Sequence, residues 1–104
     1  MARKPSIPTR LVFQALLDAP SRETYGFELA EATGLPSGTI YPILRRLEDQ
    51  GVVESRWELV ETGSQRRRRR YYWLTGEGRR AAREATVEKR NALRLLAPGW
   101  SGSL

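Results

Sequence analysis

The chain has 104 residues and contains no cysteine and no histidine, which excludes a disulfide frame, a thiolate metal site and the commonest general base of enzymes. Its 18 basic and 12 acidic residues give a net charge of +6, a balance that suits a polyanionic partner but also occurs in domains without one. This length predicts one domain with a modest core, and we expect no catalytic residue, no metal and no cofactor.

The N-terminal segment is expected to be an arm rather than part of the domain. Residues 1–8 are basic and contain two prolines, which predicts a flexible segment. They lack the apolar core of a secretory signal. No apolar run in the chain approaches the roughly 20 residues that a membrane span needs. We therefore expect a soluble, cytoplasmic protein without a membrane partner.

Two helices are expected in the first third of the chain. The spacing of apolar residues predicts one over residues 9–19 and a shorter one over residues 25–33. Thr24 is expected to cap the shorter helix, because its hydroxyl can accept a hydrogen bond from the free backbone donors of the first turn. Phe27 and Leu29 are expected to pack this helix against the core.

A third helix follows after a short turn. Gly34 suits the left-handed residue that ends the second helix, and the turn of about three residues has the length found in helix-turn-helix motifs. Ser37 or Thr39 can cap the start of the third helix, and Gly51 is expected to end it. Apolar residues at positions i, i+3, i+4 and i+7 predict one buried stripe, which consists of Ile40, Ile43, Leu44 and Leu47.

The opposite face of the third helix is a candidate for DNA recognition. In helix-turn-helix proteins the exposed N-terminal part of the second helix of the motif enters the major groove. The candidate residues on or beside this face are Ser37, Thr39, Tyr41, Pro42, Arg45 and Arg46. An ordinary amphipathic helix would also expose a polar face, so the neighbouring segments decide between these interpretations.

After the third helix the periodicity changes from helical to two. Alternation over residues 53–59 predicts a half-buried strand, residues 61–64 suit a turn, and residues 68–74 predict the returning strand. One face of the first strand would carry Val53, Ser55, Trp57 and Leu59. A helix-turn-helix followed by a hairpin is a winged helix, so we predict an α+β, mainly helical fold with a two-stranded wing.

Five successive arginines lie at the predicted tip of the wing. Their planar guanidinium groups suit phosphate oxygens and a narrow minor groove. Such closely spaced like charges would destabilise the free hairpin, and a polyanion would relieve the repulsion. A solvated charge run is the usual alternative, but the position beside a candidate recognition helix favours DNA contact. The candidate wing residues are Arg66, Arg67, Arg68, Arg69 and Arg70.

The last helix is expected to join two subunits. Thr75 would cap a helix that runs to about residue 97, a length of roughly 33 Å at 1.5 Å per residue. A helix this long cannot pack wholly on so small a domain, and its narrow alanine-rich stripe predicts a close contact with a second subunit. The alternative is a helix folded back on its own first helix. The candidate dimer-interface residues are Ala82, Ala85, Lys89, Leu93 and Leu96.

These elements divide the chain into four parts. Residues 1–8 form the arm, residues 9–74 the winged-helix DNA-binding domain, residues 75–97 the dimerisation helix and residues 98–104 a tail.

Two alternatives to DNA binding remain. A winged helix can serve as a protein-interaction module without specific DNA binding, although such a module would not need the arginine run. An enzyme is less well supported, because no convergent carboxylate pair or glycine-rich phosphate loop is present.

Four segments resemble the PadR family of bacterial transcriptional regulators. They are residues 25–29, 38–48, 51–53 and 69–78, and the resemblance covers about residues 9–97. The most specific sequences within them are Thr-Ile-Tyr-Pro and the later Tyr-Tyr-Trp-Leu-Thr. The chain departs from the family in its longer arginine run and in Trp73, where the family usually has a basic or polar residue.

The resemblance implies a homodimeric repressor that binds an inverted-repeat operator in double-stranded DNA. It also implies the smaller PadR subgroup, in which the C-terminal helix makes the dimer. In this family a small-molecule effector often relieves repression, and its pocket, where present, tends to lie at the dimer interface. The aromatic candidates for such a pocket are Trp73 and Trp100, with a structural role as the alternative for each.

Overall fold

The structure is a computed structural model that describes residues 4–63 and 65–96, with side-chain surroundings up to Thr86. Within these ranges the chain forms four helices and a small sheet. In chain order the elements are α1 (Ile7–Asp18), β1 (Thr24–Tyr25), α2 (Gly26–Thr33), α3 (Ser37–Asp49), β2 (Val53–Trp57), β3 (Arg70–Leu74) and α4 (Gly76–Leu96). None of these helices combines the length and the apolar character needed to cross a membrane.

The core lies between the four helices and one face of the sheet. It consists of Val12, Phe13, Leu16, Leu29, Ile40, Ile43, Leu44, Leu47, Val53, Tyr72, Leu74, Ala82 and Ala85. The stripe predicted on the third helix is confirmed, since all four of its members are buried. Phe27 does not join this core, and its predicted packing is wrong. Its ring is 60% exposed and stacks on Tyr25 with 6.5 Å between ring centroids, because it lies on the outer side of α2.

The hairpin predicted after α3 is present but shorter than expected. β2 and β3 pair antiparallel from Val53 opposite Leu74 to Trp57 opposite Arg70. On the face of β2 that begins with buried Val53, Ser55 is partly buried and Trp57 is exposed, because the hairpin extends beyond the helices that cover its base. Leu59 therefore lies past the strand and is 87% exposed, so its predicted place on a half-buried strand is wrong.

A third strand completes the sheet, which has the order β1-β3-β2. β1 is only two residues long, with Thr24 opposite Tyr72 and Tyr25 opposite Tyr71. The predicted capping role of Thr24 is wrong. Its hydroxyl donates to the Glu28 carboxylate at 3.0 Å, and Tyr25 is the residue that precedes α2. A strand of two residues has no periodicity, so the sequence did not reveal it.

α3 begins without a side-chain cap. The helix starts at Ser37 after an extended Pro36, and no side chain accepts a hydrogen bond from its first turn. The predicted capping by Ser37 or Thr39 is therefore wrong. The backbone N–H of Thr39, one of the donors that a cap would have served, donates instead to the Pro36 carbonyl at 2.9 Å, and the N–H of Ile40 donates to the same carbonyl at 3.0 Å as the first regular bond of the helix.

Two glycines end helices as predicted. Gly34 after α2 has φ of 74°, and Gly51 after α3 has φ of 78°. At the second site the Val52 N–H reaches back to the Leu47 carbonyl at 3.1 Å. Glycine suits both positions because a side chain is disfavoured in this left-handed conformation.

α4 begins as predicted and packs first on its own chain. The Thr75 hydroxyl accepts a hydrogen bond from the Gly78 N–H at 3.0 Å, which caps the helix. The N-terminal half of α4 then lies against α1 and buries Ala82 and Ala85, which are 0% and 3% exposed. The prediction that these two alanines face a second subunit is therefore wrong, because α1 of the same chain covers them.

The rest of the expected dimer interface lies farther along α4. Lys89, Leu93 and Leu96 fall where the structure describes only the helical backbone. The predicted end of the helix near residue 97 and the candidate pocket residue Trp100 lie outside the described residues.

Candidate nucleic-acid interface

The residues that the sequence offers as candidates for DNA recognition lie on the side of α3 that faces away from the core. Because the apolar stripe faces the core, the side chains on the other side of the helix point to solvent. The exposed members of the set are Ser37, Tyr41, Pro42, Arg45 and Arg46, and Thr39 is partly buried beside them. This surface combines hydroxyl, aromatic and guanidinium groups, which can donate to or contact base edges.

Tyr41 is held in place by the start of α2. Its side chain is 43% exposed, and its ring lies against Gly26. A β carbon on Gly26 would lie 2.6 Å from the Tyr41 hydroxyl oxygen and 2.7 Å from Cε1. Gly26 therefore allows α2 to approach the ring closely. The sequence does not reveal this role of Gly26, because the contact joins two separate helices.

The two neighbouring arginines of α3 differ in their surroundings. Arg46 donates from Nη2 to the Thr9 hydroxyl at 3.0 Å, and Thr9 is itself buried in α1. Arg46 thus ties α3 to α1. Within the part of the chain that the structure describes, Arg45 makes no hydrogen bond or ion pair, so its guanidinium group is available to an external acceptor.

The arginine run of the wing is organised around one carboxylate. Glu58 accepts hydrogen bonds from Arg66 Nη1 at 3.0 Å and from the Arg69 N–H at 3.2 Å, and its carbonyl accepts from Arg68 Nε at 3.1 Å. Burial acts to raise the pKa of the Glu58 carboxyl. The backbone hydrogen bond from Arg69 and the hydrogen bond and charge of Arg66 prevail, so the pKa lies below its ordinary value. Glu58 therefore relieves part of the repulsion that was expected among these arginines.

Aromatic rings support three of the wing arginines. The guanidinium carbon of Arg69 lies 4.6 Å from the centre of the Tyr25 ring. Arg68 and Arg70 lie 5.8 and 5.0 Å from the Trp57 ring. Such contacts favour a cation over the ring face. Arg67 makes no hydrogen bond or ion pair to any described residue, so the five arginines are not equivalent.

Arg70 differs most from the sequence-based expectation of a wing-tip residue. It lies at the start of β3 and points toward α3. Its Nε donates to the Ser55 hydroxyl at 3.0 Å, and its Nη2 lies 3.3 Å from Glu48 Oε2. Arg70 is therefore engaged within the chain, between the wing and the recognition helix.

Trp73 has a structural partner in the sheet. Its indole Nε1 donates to Glu54 Oε1 at 3.1 Å, and the two residues are opposite each other on β3 and β2. They lie on the face of the sheet away from the core, since Tyr72 and Leu74 occupy the buried face. This hydrogen bond gives Trp73 a structural role in the sheet.

Known proteins with a similar sequence or fold are transcriptional regulators. The profile of the "Transcriptional regulator PadR-like family" matches residues 15–84. A PadR family transcription regulator from Clostridium difficile R20291 has a TM-score of 0.67 and 24% identity, with 93% of this chain and 100% of that chain covered. No curated protein sequence is significantly similar to the chain.

Two other regulators have a similar fold. The PcaV transcriptional regulator from Streptomyces coelicolor, solved in complex with its natural ligand, has a TM-score of 0.75 and 22% identity, with 97% of this chain and 67% of PcaV covered. BpsR from Bordetella bronchiseptica has a TM-score of 0.71 and 18% identity, with 97% of this chain and 68% of BpsR covered. At these identities the three structures establish a shared winged-helix fold.

Proposed function

Because the chain belongs to the PadR-like family of transcriptional regulators, we propose that it binds a specific double-stranded DNA operator as a homodimeric repressor. The observation that carries this proposal is the exposed start of α3, with Arg45 unengaged by the described residues, beside a wing that presents successive arginines. A two-fold symmetric dimer would present two such surfaces, and this arrangement suits an inverted-repeat operator.

The two parts of this surface have different tasks in the proposal. Thr39, Tyr41 and Arg45, helped by Ser37, read base edges in the major groove. Ser37, Thr39 and Tyr41 lie in the N-terminal part of the recognition helix, and Arg45 lies about one turn beyond Tyr41 on the exposed side of the helix. The wing arginines Arg66 to Arg69 contact phosphates and flank the site, since phosphate contacts position a protein without reading sequence. A protein-interaction module would not need separate base-reading and phosphate-contacting residues, and it would not show salt-dependent duplex binding.

Replacing Arg45 by Ala tests base recognition. A bidentate arginine–guanine contact contributes about 1–3 kcal/mol of discrimination between bases, so Arg45→Ala should lower the ratio of affinities for selected and scrambled duplexes by roughly 5- to 150-fold. The duplex is first selected from a random library with the wild-type protein, and affinities are then measured by fluorescence anisotropy.

Arg46→Ala is the matched control for this experiment, because it removes the same charge from the next position of α3. The Arg46 guanidinium group is bound to Thr9 in α1 and does not read bases in this proposal, so Arg46→Ala should leave the ratio of the two affinities unchanged. Loss of its positive charge should lower the affinity for both duplexes. An unchanged ratio in Arg45→Ala would contradict base reading by Arg45.

We propose that dimerisation uses the C-terminal half of α4. The N-terminal half is already covered by α1 through Ala82 and Ala85, and the apolar stripe continues in the sequence to Leu93 and Leu96. Replacing both leucines by Glu should convert the dimer to monomers, because two charges would be buried without partners. Sedimentation velocity at micromolar concentration measures the outcome.

The control for dimerisation changes Arg90 and Arg94 to Glu, since helical spacing puts both residues away from the stripe. This variant should remain dimeric. A wild-type protein that sediments as a monomer would contradict the proposed interface directly.

A small-molecule effector that weakens DNA binding is also part of the proposal. PcaV is described in complex with its natural ligand, and BpsR has its DNA binding regulated by 6-hydroxynicotinic acid. Both proteins share this fold, which supports ligand-responsive regulation here. Release of a labelled operator duplex, scored across a library of small organic acids, tests this part of the proposal.

A further inference from the structure

Three side chains from three different elements meet between the recognition helix and the wing. Glu48 belongs to α3, Ser55 to β2 and Arg70 to β3. The Ser55 hydroxyl donates to Glu48 Oε2 at 2.6 Å, Arg70 Nε donates to the Ser55 hydroxyl at 3.0 Å, and Arg70 Nη2 lies 3.3 Å from the same Glu48 oxygen. We call these three residues the helix–wing clamp.

The clamp borders an open cleft between α3 and the hairpin. The cleft has a volume of about 420 Å³, and besides Glu48 and Arg70 it is lined by Tyr41, Arg45, Asp49 and Tyr72. Burial raises the pKa of Tyr72 in spite of the nearby charge of Arg70, so this phenol is neutral at physiological pH. The charged groups of the cleft are therefore two arginines and two carboxylates, and among the described residues Arg70 forms its ion pair with Glu48.

Arg70 remains within reach of solvent although it is engaged. The Arg70 and Glu48 side chains are 32% and 31% exposed. An ion pair that is this exposed contributes little to folding stability, so stability alone is a weak reason for the arrangement. A guanidinium group released at this position could form a two-pronged contact with a phosphate, since its donors match phosphate geometry.

We propose that Glu48 is a positioning residue that withholds Arg70 from the DNA backbone and fixes the wing relative to the recognition helix. This inference rests on the proposed DNA-binding function. With the clamp closed, Arg70 adds no phosphate contact of its own, and the wing arginines beyond it are held at one distance from α3. With the clamp open, Arg70 gains a phosphate contact that carries no sequence information. Glu48 thus lowers non-specific affinity and raises discrimination.

The test compares Glu48→Gln with the wild-type protein on two probes, a duplex selected from a random library by the wild type and a duplex of mixed sequence. Binding to each is measured between about 50 and 200 mM salt. One additional phosphate contact should steepen the log–log salt slope on the mixed-sequence duplex by about 0.9. The affinity advantage of Glu48→Gln over wild type should then fall about 3.5-fold across this salt range. The ratio of selected to mixed affinity should fall as well.

Two further variants separate the clamp from a general charge effect. Asp49→Asn removes a neighbouring carboxylate of the same cleft that forms no ion pair with the described residues. The salt slope of this variant should stay at the wild-type value. Glu48→Gln introduced together with Arg70→Gln should have the slope of Arg70→Gln alone, because the effect acts through Arg70. Circular dichroism reports folding. If Glu48→Gln does not fold, Arg70→Gln is the second variant. Its slope should equal the wild-type slope, because Arg70 makes no phosphate contact while the clamp is closed, and a flatter slope would overturn the clamp.

The outcomes distinguish this inference from the proposed function. A wild-type protein without salt-dependent duplex binding would contradict DNA binding itself. Wild-type binding together with an unchanged slope in Glu48→Gln would overturn only the clamp, as would an equal steepening in Asp49→Asn or a steepening that persists without Arg70.

Discussion

Replacement of Arg66, Arg67 and Arg68 by alanine in one variant is expected to flatten the log–log salt slope of DNA binding by roughly 2.7. Each phosphate that an arginine neutralises releases condensed counterions, with a slope of about −0.9 per contact. The affinity ratio of wild type to variant should therefore shrink about 40-fold between about 50 and 200 mM salt. This expectation assumes one phosphate for each arginine.

The ion pair of Arg66 with Glu58 does not remove that arginine from the prediction. The Arg66 side chain is 52% exposed, so a phosphate can still approach its guanidinium group. Arg68 donates only its Nε to the Glu58 carbonyl, and Arg67 makes no hydrogen bond or ion pair within the described part of the chain. Specific and non-specific binding should weaken alike, because phosphates carry no sequence information. A larger loss at A·T-rich flanks would instead indicate insertion into a narrow minor groove.

The matched control for the wing variant replaces Arg79, Arg80 and Arg83 by alanine. These three exposed residues lie on α4, and their loss changes the net charge by the same amount. The salt slope of this control variant should differ from the wild-type slope by no more than about 0.9, which is the contribution of one phosphate contact. If the wing variant also keeps the wild-type slope, the arginine run does not contact DNA and is a solvated tip.

Replacement of Gly78 by alanine is expected to destabilise the fold by about 3 kcal/mol or more, at the upper end of the range for overpacked cores. Gly78 is buried in the first turn of α4, and a β carbon there would overlap the backbone carbonyl of Val52. That carbonyl also accepts a hydrogen bond from the Thr75 N–H at 3.1 Å, so it cannot move without disturbing the start of the helix. The collision involves backbone atoms, and no side-chain rotation can relieve it.

Gly76 is the matched control two residues earlier in the same helix. Apart from its chain neighbours and the backbone of its own helix, no heavy atom of the described residues lies within 4 Å of a β carbon built there. Gly76→Ala should therefore leave stability unchanged or raise it by up to about 1 kcal/mol through the better helix propensity of alanine. In a domain of this size 3 kcal/mol corresponds to a loss of roughly 12–24 °C in melting temperature. Melting of Gly78→Ala at the wild-type temperature, followed by circular dichroism, would show that α4 and Val52 are not in close contact.

The sequence determined those features that depend on neighbours along the chain. The period of the apolar residues in α3 predicts its buried stripe, because residues three and four apart share one face of a helix. Gly34 and Gly51 predict the ends of α2 and α3, because glycine readily adopts the left-handed conformation found there. The alternation in β3 likewise separates Tyr72 and Leu74 from the exposed face. These local signals were sufficient for the winged-helix fold and for the location of the candidate recognition surface.

The tertiary structure decided which residues of separate helices and strands contact one another. Periodicity predicts that Ala82 is buried, but it does not say whether α1 or a second subunit covers it, and α1 does. The charge run predicts a basic wing, yet Arg70 pairs with Glu48, which is 22 positions away in the chain. Gly26 has a defined role only because the ring of Tyr41 lies over it. Each of these contacts joins residues far apart in sequence, and they form only once packing has brought the separate elements together.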